Sequence, residues 1–375
     1  MSEELSAPTW NEQSVSDIAG GQASAVAAAP DRRPAFIQVA EAAPAPPPAP
    51  LVYVSTDQND RWFQHINELP ATVHALGCHT LRDSALHRHG ILFHGDTLIT
   101  DESHLGNVSR DEARLMTAAD RESTSAIALE QPALIFLAAG YRVYGHWLVD
   151  FIPRVRIARQ ALGGDFHDHV IPVPATTPGW AVTLLSQLCG VFEDQLFRYD
   201  PATHHITFSE ASVPTYGHAN YHFHPHVAAY WPTIPADRRQ RRLCISRLNF
   251  EGKTDGVLKN FADRELFERL ATNRGYELVY PETLSIREQI DLFGQASHVI
   301  GEYGSALHNT LFSPQDAAVG AIRCPNDVQL RIAALKGQKS VICTPEQDWV
   351  SEEGVQCYAT SEETLDQFFT VMDQI

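Results

Sequence analysis

Apolar and polar positions change their spacing as this 375-residue chain proceeds. Between Leu51 and about Glu130 the apolar residues come in short alternating runs (LVYVS, ATVHALGC, GILFHG, TLITD) broken by Gly, Asp and Asn, which predicts small strands and turns. From residue 133 the runs lengthen. ALIFLAAG reads as a buried strand, YRVYG as a loop and HWLVDFIPRVRIARQAL as a helix, and VIPVP with a helix at WAVTLLSQLCG repeats the alternation. Pro153 lies inside the helical pattern and implies a kink or a fresh start there.

A second series follows PTIPADRRQRR, a stretch with few core residues that marks a domain boundary. Strand RLCIS leads to a helix at FADRELFERLATN ended by Gly275. Strand YELVY, helix SIREQIDLFGQA, strand HVI, helix SALHNTLF, strand AAVGAIR, helix VQLRIAALKG and strand SVIC complete it. Strands and helices alternating at this spacing specify a parallel sheet covered on both faces. Ser285 with Glu288, and Thr360 with Glu363 ahead of LDQFFTVMDQI, read as capping boxes opening helices. Residues 1–50 are rich in Ala and Pro and close with EAAPAPPPAP, a composition that predicts a disordered tail. The division expected is therefore a tail over 1–50, an N-terminal lobe over 51–235, a C-terminal lobe over 240–350 and a closing helix within 351–375.

Composition narrows the functional classes. Lys plus Arg is 28 against 46 Asp plus Glu, a net charge of −18, so there is no general attraction for nucleic acid. An anionic ligand would have to be held by a few placed groups. The start MSEELSAPTW lacks the basic and apolar regions of a secretory signal, and ALIFLAAG is far short of the ~20 residues that cross a bilayer. The expected location is cytoplasmic, or peripheral to the inner face of a membrane. Six dispersed cysteines without Cys-x-x-Cys read as reduced core residues.

Four stretches carry candidate chemistry. In HVIGEYGSALHNTLF, a strand, Gly301 and Gly304 flanking Glu302 and Tyr303, and a helix opening at Ser305 or Ala306 place free amides at the sheet's carboxyl edge, where a diphosphate is suited. Ser305 can donate or cap, Glu302 can accept from ribose hydroxyls, and the same turn without a ligand is a strand-to-helix connection. Arg247 of CISRLNFEGK leaves the carboxyl end of the first strand of this series, toward the same crevice, with Lys253 near in sequence; alone, it would be a surface arginine paired to an acid. In GHWLVDFIPR, His146 and Asp150 are four apart on one helical face, a pair able to take a proton from a hydroxyl or simply to bond each other at a helix end. In GHANYHFHPH, His222, His224 and His226 alternate with His218 nearby; they read as acceptor-cleft or core histidines, with a zinc site as the third alternative. Asp-x-Asp occurs nowhere, nor do Gly-x-Gly-x-x-Gly and Gly-x-Ser-x-Gly.

In their order, HWLVDFIPR, ISR and LSIREQIDLFGQASHVIGEYGSALHNTLF resemble glycosyltransferase family 61, over roughly residues 130–345. The resemblance implies a GT-B-like fold of two Rossmann-like lobes facing a cleft, with a β-rich N-terminal front. It also implies inverting, metal-independent transfer from a nucleotide sugar, usually a UDP-sugar, to a glycan hydroxyl, as in capsular or cell-wall polysaccharide synthesis. On that reading the N-terminal lobe takes the acceptor, with His146 or Asp150 as base and His222 and His224 in the acceptor cleft. The C-terminal lobe takes the donor through Arg247, Lys253, Glu302, Tyr303, Gly304, Ser305 and Asn309, with no metal and no cofactor beyond the nucleotide sugar as co-substrate. One departure stands out. The family generally reads Gly-x-His-Gly-Ala-x-Leu-Thr-Asn where this chain has Gly301 to Asn309 with Tyr303 for His and His308 for Thr. Tyr303 supports an alternative of a different class, a catalytically idle nucleotide-sugar or glycan-binding module. A nucleotide-dependent oxidoreductase on the same sheet is disfavoured by the missing glycine fingerprint.

Overall fold

The structure, a computed structural model, describes residues 10–25, 33–54, 72–100, 107–232, 241–248 and 259–375. They form two compact units, one of residues 10–43 with 72–219, the other of 44–54 with 220–375.

The first unit is built on the long strand Leu76–His87, whose residues are nearly all buried. It pairs antiparallel with His204–Pro214 along most of its length and with Ile91–His94 and Phe36–Ala40. Ser125–Leu129 and Ala133–Leu134 then run parallel to His204–Pro214. A parallel βαβαβ stretch continues from there: a bridge from Ala133 to Val170, and Ile171–Pro174 beside Leu196–Tyr199. The unit is thus α/β, but its main sheet is mixed. The expected Rossmann-like alternation is confined to residues 133–199; the residues before 130 enter a mixed sheet, in which the hairpin-linked runs pair antiparallel and Ser125–Leu129 pairs parallel.

The tail expectation also changes. Of its described residues, Asn11–Gln13 pairs with Thr97–Ile99, Val15–Ala25 is a helix, and Phe36–Ala40 is a strand. Val15, Ile18 and Ala19 are buried in the core of this unit. Their i, i+3, i+4 spacing makes one apolar helical stripe, a pattern that Ala- and Pro-rich composition hides.

The second unit holds a six-stranded sheet in the order Glu277–Val279, Arg241–Ile245, Ala296–Glu302, Ala318–Ile322, Lys339–Cys343, Leu51–Val54, every neighbour parallel. Counted from Arg241, the order is 2-1-3-4-5 with one strand added at the edge. That added strand was expected in the N-terminal lobe; Lys339–Cys343 offers an open parallel edge that Leu51–Val54 fills. Cys244, Ile300, Ala318, Ile322 and Val341 pack on one face against Arg264–Asn273 and Glu362–Gln374. Leu243, Val299, Val319, Ala321 and Ile342, which alternate with them, are buried as well, so both faces are covered. The closing helix belongs to this core through Leu365, Phe368, Phe369 and Met372. A Cβ on Gly320 would fall 2.5 Å from the Phe368 ring, so glycine there lets helix meet sheet. Ser285 and Glu288 form the expected capping box, whereas the last helix is capped by Ser361, one residue beyond Thr360. All six cysteines are free and buried. Among the described residues no helix is long and apolar enough to cross a membrane.

Candidate active site

In the first unit, residues 144–162 begin as one turn of α-helix at Tyr144–His146, widen into a π-helical turn at Trp147–Phe151, and resume as α-helix at Ile152–Leu162. Pro153 stands where the α-helix resumes: it has no N–H to give to the carbonyl four residues back, and just before it the Ile152 N–H bonds Trp147 O, five residues back. Trp147 anchors the turn, its indole N–H donating to Tyr141 O at 2.6 Å and its ring edge-on to Phe136, Phe151 and Trp180.

This turn brings His146 and Asp150 into contact, Nδ1 to Oδ2 at 2.5 Å. The second carboxylate oxygen receives His218 Nε2 at 2.6 Å. Asp150 is buried; burial alone would raise its pKa, but the hydrogen bonds and charge of the two imidazoles hold it well below the ordinary carboxylate value. Burial pushes His146 down, yet the hydrogen bond to Asp150 and the charge of that carboxylate together more than offset this and its pKa is raised. The His146 side chain keeps 35% of its surface, and the ring lies against Gly140, where a Cβ would come within 2.6 Å of Cδ2. Gly140 also has φ +88, a conformation that favours glycine.

Behind the trio sits Arg154, 0% exposed. Its guanidinium donates to Pro214 O at 3.0 and 2.9 Å and to Phe136 O at 2.5 Å, and lies over the Tyr216 ring at 4.6 Å. It ties the helix to the strand before Gly140 and to the segment that carries His218. Sequence reasoning missed it, although a lone arginine on the apolar helical face was the available signal. It also treated His218 only as a neighbour of possible metal ligands.

In the second unit, the strand order reverses between Arg241–Ile245 and Ala296–Glu302, which makes a switch point where the connections leave the carboxyl edge in opposite directions. Arg247 leaves one strand and Gly304 the other, and the guanidinium lies where a Cβ on Gly304 would be 2.5 Å from Nη1. Gly304, Ser305 and Ala306 are half-exposed. The helix that follows, Ser305–Phe312, is 3₁₀ rather than α, and its first amides find no acceptor within the helix.

Other residues expected at the donor site are turned to internal work. Glu302 is buried, accepting from Arg264 Nε at 2.5 Å and from the Tyr358 hydroxyl at 2.6 Å, so its carboxylate anchors the unit and is not offered to a ribose. Asn309 is 0% exposed and donates to Gln289 Oε1 at 2.8 Å, which excludes it from a ligand surface and makes it a tie between two helices. Tyr303 is buried, with its hydroxyl donating to Asn326 Oδ1 and its pKa raised by burial. Lys253 lies outside the described residues. His224 is buried too, and its Nδ1 accepts the His226 N–H at 3.1 Å to cap the Pro225–Tyr230 turn, so it does not line an open cleft. His222 is half-buried in a short strand of the second unit, not in the first as expected. Among the described residues no three His, Cys, Asp or Glu side chains are grouped to hold a metal ion.

Residues 144–320 match the family model described as Glycosyltransferase 61, a span that starts two residues before His146 and runs past the Gly304 turn. The stretch so matched is a glycosyltransferase family 61 domain. That domain supports a glycosyltransferase, and both the His146 turn and the switch-point arginine fall inside it. No curated protein matches the chain.

Proposed function

We propose that this chain, with its family 61 domain, is an inverting glycosyltransferase that moves a sugar from a UDP-sugar to a glycan hydroxyl by direct displacement, without a metal or a further cofactor. The observation that carries the donor half is Arg247 seated over Gly304 at the switch point of a parallel sheet. There a guanidinium and the amides at Gly304 and Ser305 meet a departing diphosphate, in a protein whose overall charge of −18 would otherwise repel it. The missing Asp-x-Asp supports a site in which arginine and amides replace a divalent ion.

For the acceptor half, Asp150 is held as a carboxylate by two imidazole donors, so the hydroxyl proton passes to His146 Nε2. As it does, the acceptor oxygen bonds the anomeric carbon, the bond from that carbon to the diphosphate oxygen breaks, and its electron pair leaves with UDP. Asp150 fixes the Nδ1–H tautomer and stabilises the imidazolium.

The test is a panel of nucleotide sugars with glycan acceptors, read as released nucleotide, beside a thermal-shift screen in which UDP gives the largest rise. Arg247→Ala is expected to abolish release with its melting point retained; undiminished turnover would remove the assignment. A second reading, an idle nucleotide-sugar or glycan-binding module, is favoured by Tyr303, whose hydroxyl is already committed to Asn326. Binding of UDP with no turnover of any donor would select it.

A further inference from the structure

Asp150 serves two imidazoles, of which His146 has an accessible ring and His218 exposes only 9% of its side chain. We propose that His218 is a positioning residue: by donating from Nε2 to the second oxygen of Asp150, it fixes the plane of the carboxylate and sets the basicity of His146. The proposal rests on the reading of His146 as the base.

A carboxylate held through one oxygen can rotate and exchange oxygens with its partner; held through both, it presents Oδ2 to His146 in one direction only. The second donor also divides the carboxylate's pull. Each hydrogen bond to the ionised form lowers its proton affinity, so Asp150 draws less strongly on His146 Nδ1–H than it would alone. The surroundings leave this task to His218. Arg154, whose charge acts on Asp150, is occupied by Pro214 O and Phe136 O. Tyr216 packs its ring 5.2 Å from His218 and lies under Arg154, and its carbonyl meets His74 Nε2 at 3.0 Å. The Cys78 thiol also faces Arg154 and is pushed up to about 12 by burial, so it is neutral. On the other side, His146 meets Gly140 and the Phe151 ring, neither of which titrates.

The experiment uses the full chain with its histidine rings labelled with ¹⁵N and ¹³C, read by NMR across pH, with His146→Gln to assign the resonance. In the wild type, His146 is expected to carry its proton on Nδ1 and His218 on Nε2 once both are neutral. In His218→Phe the His146 midpoint is expected to rise by about one pH unit, because Asp150 then serves a single donor. His218→Gln keeps an N–H and is expected to hold the wild-type midpoint. A wild-type His218 protonated only on Nδ1, or a His146 midpoint unmoved in His218→Phe, overturns the proposal; the tautomer needs no variant and decides the matter if His218→Phe does not fold. In the transfer assay, the acid limb of kcat/KM should move with the midpoint while KM for the donor stays. A midpoint that moves without that limb overturns His146 as the base, a failure of the functional reading that the NMR result keeps separate.

Discussion

Asp150 would be the wrong group to pull a proton from a hydroxyl while two imidazoles donate to it, and this separates two side chains that spacing alone left interchangeable. Asp150→Asn keeps the shape but puts an NH₂ where an acceptor was needed, so turnover is expected to fall about 10²–10⁴-fold with nucleotide affinity unchanged, as steady-state kinetics and calorimetry would show. Gly140 and Gly304 illustrate two uses of a missing Cβ. At Gly140, with φ +88, alanine is strained by about 1–2 kcal/mol and pushes the His146 ring from its place, so Gly140→Ala should lose both stability and turnover. At Gly304 the obstruction is the far end of a flexible arginine, which can move at little cost. Gly304→Ala should therefore melt like the wild type and bind UDP more weakly, and equal affinity would show that the Arg247 position is immaterial to the donor.

At the scale of elements, a proline and an arginine flank the His146–Asp150 pair. Pro153 follows the wide turn at Trp147–Phe151 that holds Asp150 beside His146. Pro153→Ala restores an N–H, lets the turn tighten toward an α-helix and shifts the pair; a displacement near 1 Å costs about 10²-fold in rate, so turnover should drop by that order while the melting point holds. Arg154→Met should instead lower stability by about 3 kcal/mol in denaturant titrations, because it leaves the Pro214 and Phe136 carbonyls unpaired in the interior. Most elements were legible beforehand. The strands at Arg241–Ile245, Ala296–Glu302, Ala318–Ile322 and Lys339–Cys343 and the helices between them follow from apolar runs and from stops at Gly275 and Gly337, both with positive φ. The helix at Val15–Ala25 was not, since a few apolar residues among many alanines are decided by what they pack against. Nor was the 3₁₀ form of Ser305–Phe312, whose buried Asn309 and Thr310 are held by Gln289, Gln329 and Gln338 from other elements.

For the molecule as a whole, the two titrating partners act in opposite directions with pH. The pKa of His146 is raised, so the stability it contributes is full below the ordinary value of 6.5 and is lost as pH rises through its folded value. That of Asp150 is depressed, so its contribution is present above 3.8 and is lost as pH falls through its folded value. With His146 in its proposed role as base, kcat/KM should climb with pH through a midpoint above 6.5 while the melting point declines modestly over the same interval; a rate limb at or below 6.5 would contradict the pairing. The chain's own pattern was enough to establish the alternating α/β series, the carboxyl-edge position of Arg247 and the Gly301–Gly304 turn, and the sharing of one helical face by His146 and Asp150, because these depend on periodicities of two and 3.6 residues and on glycine and proline. Tertiary structure alone decided that Leu51–Val54 completes the second sheet, that Glu302 and Asn309 face inward, and that His218 reaches Asp150 across 68 positions of sequence. Such contacts arise where separate elements meet, and no local spacing encodes which side chain will be waiting there.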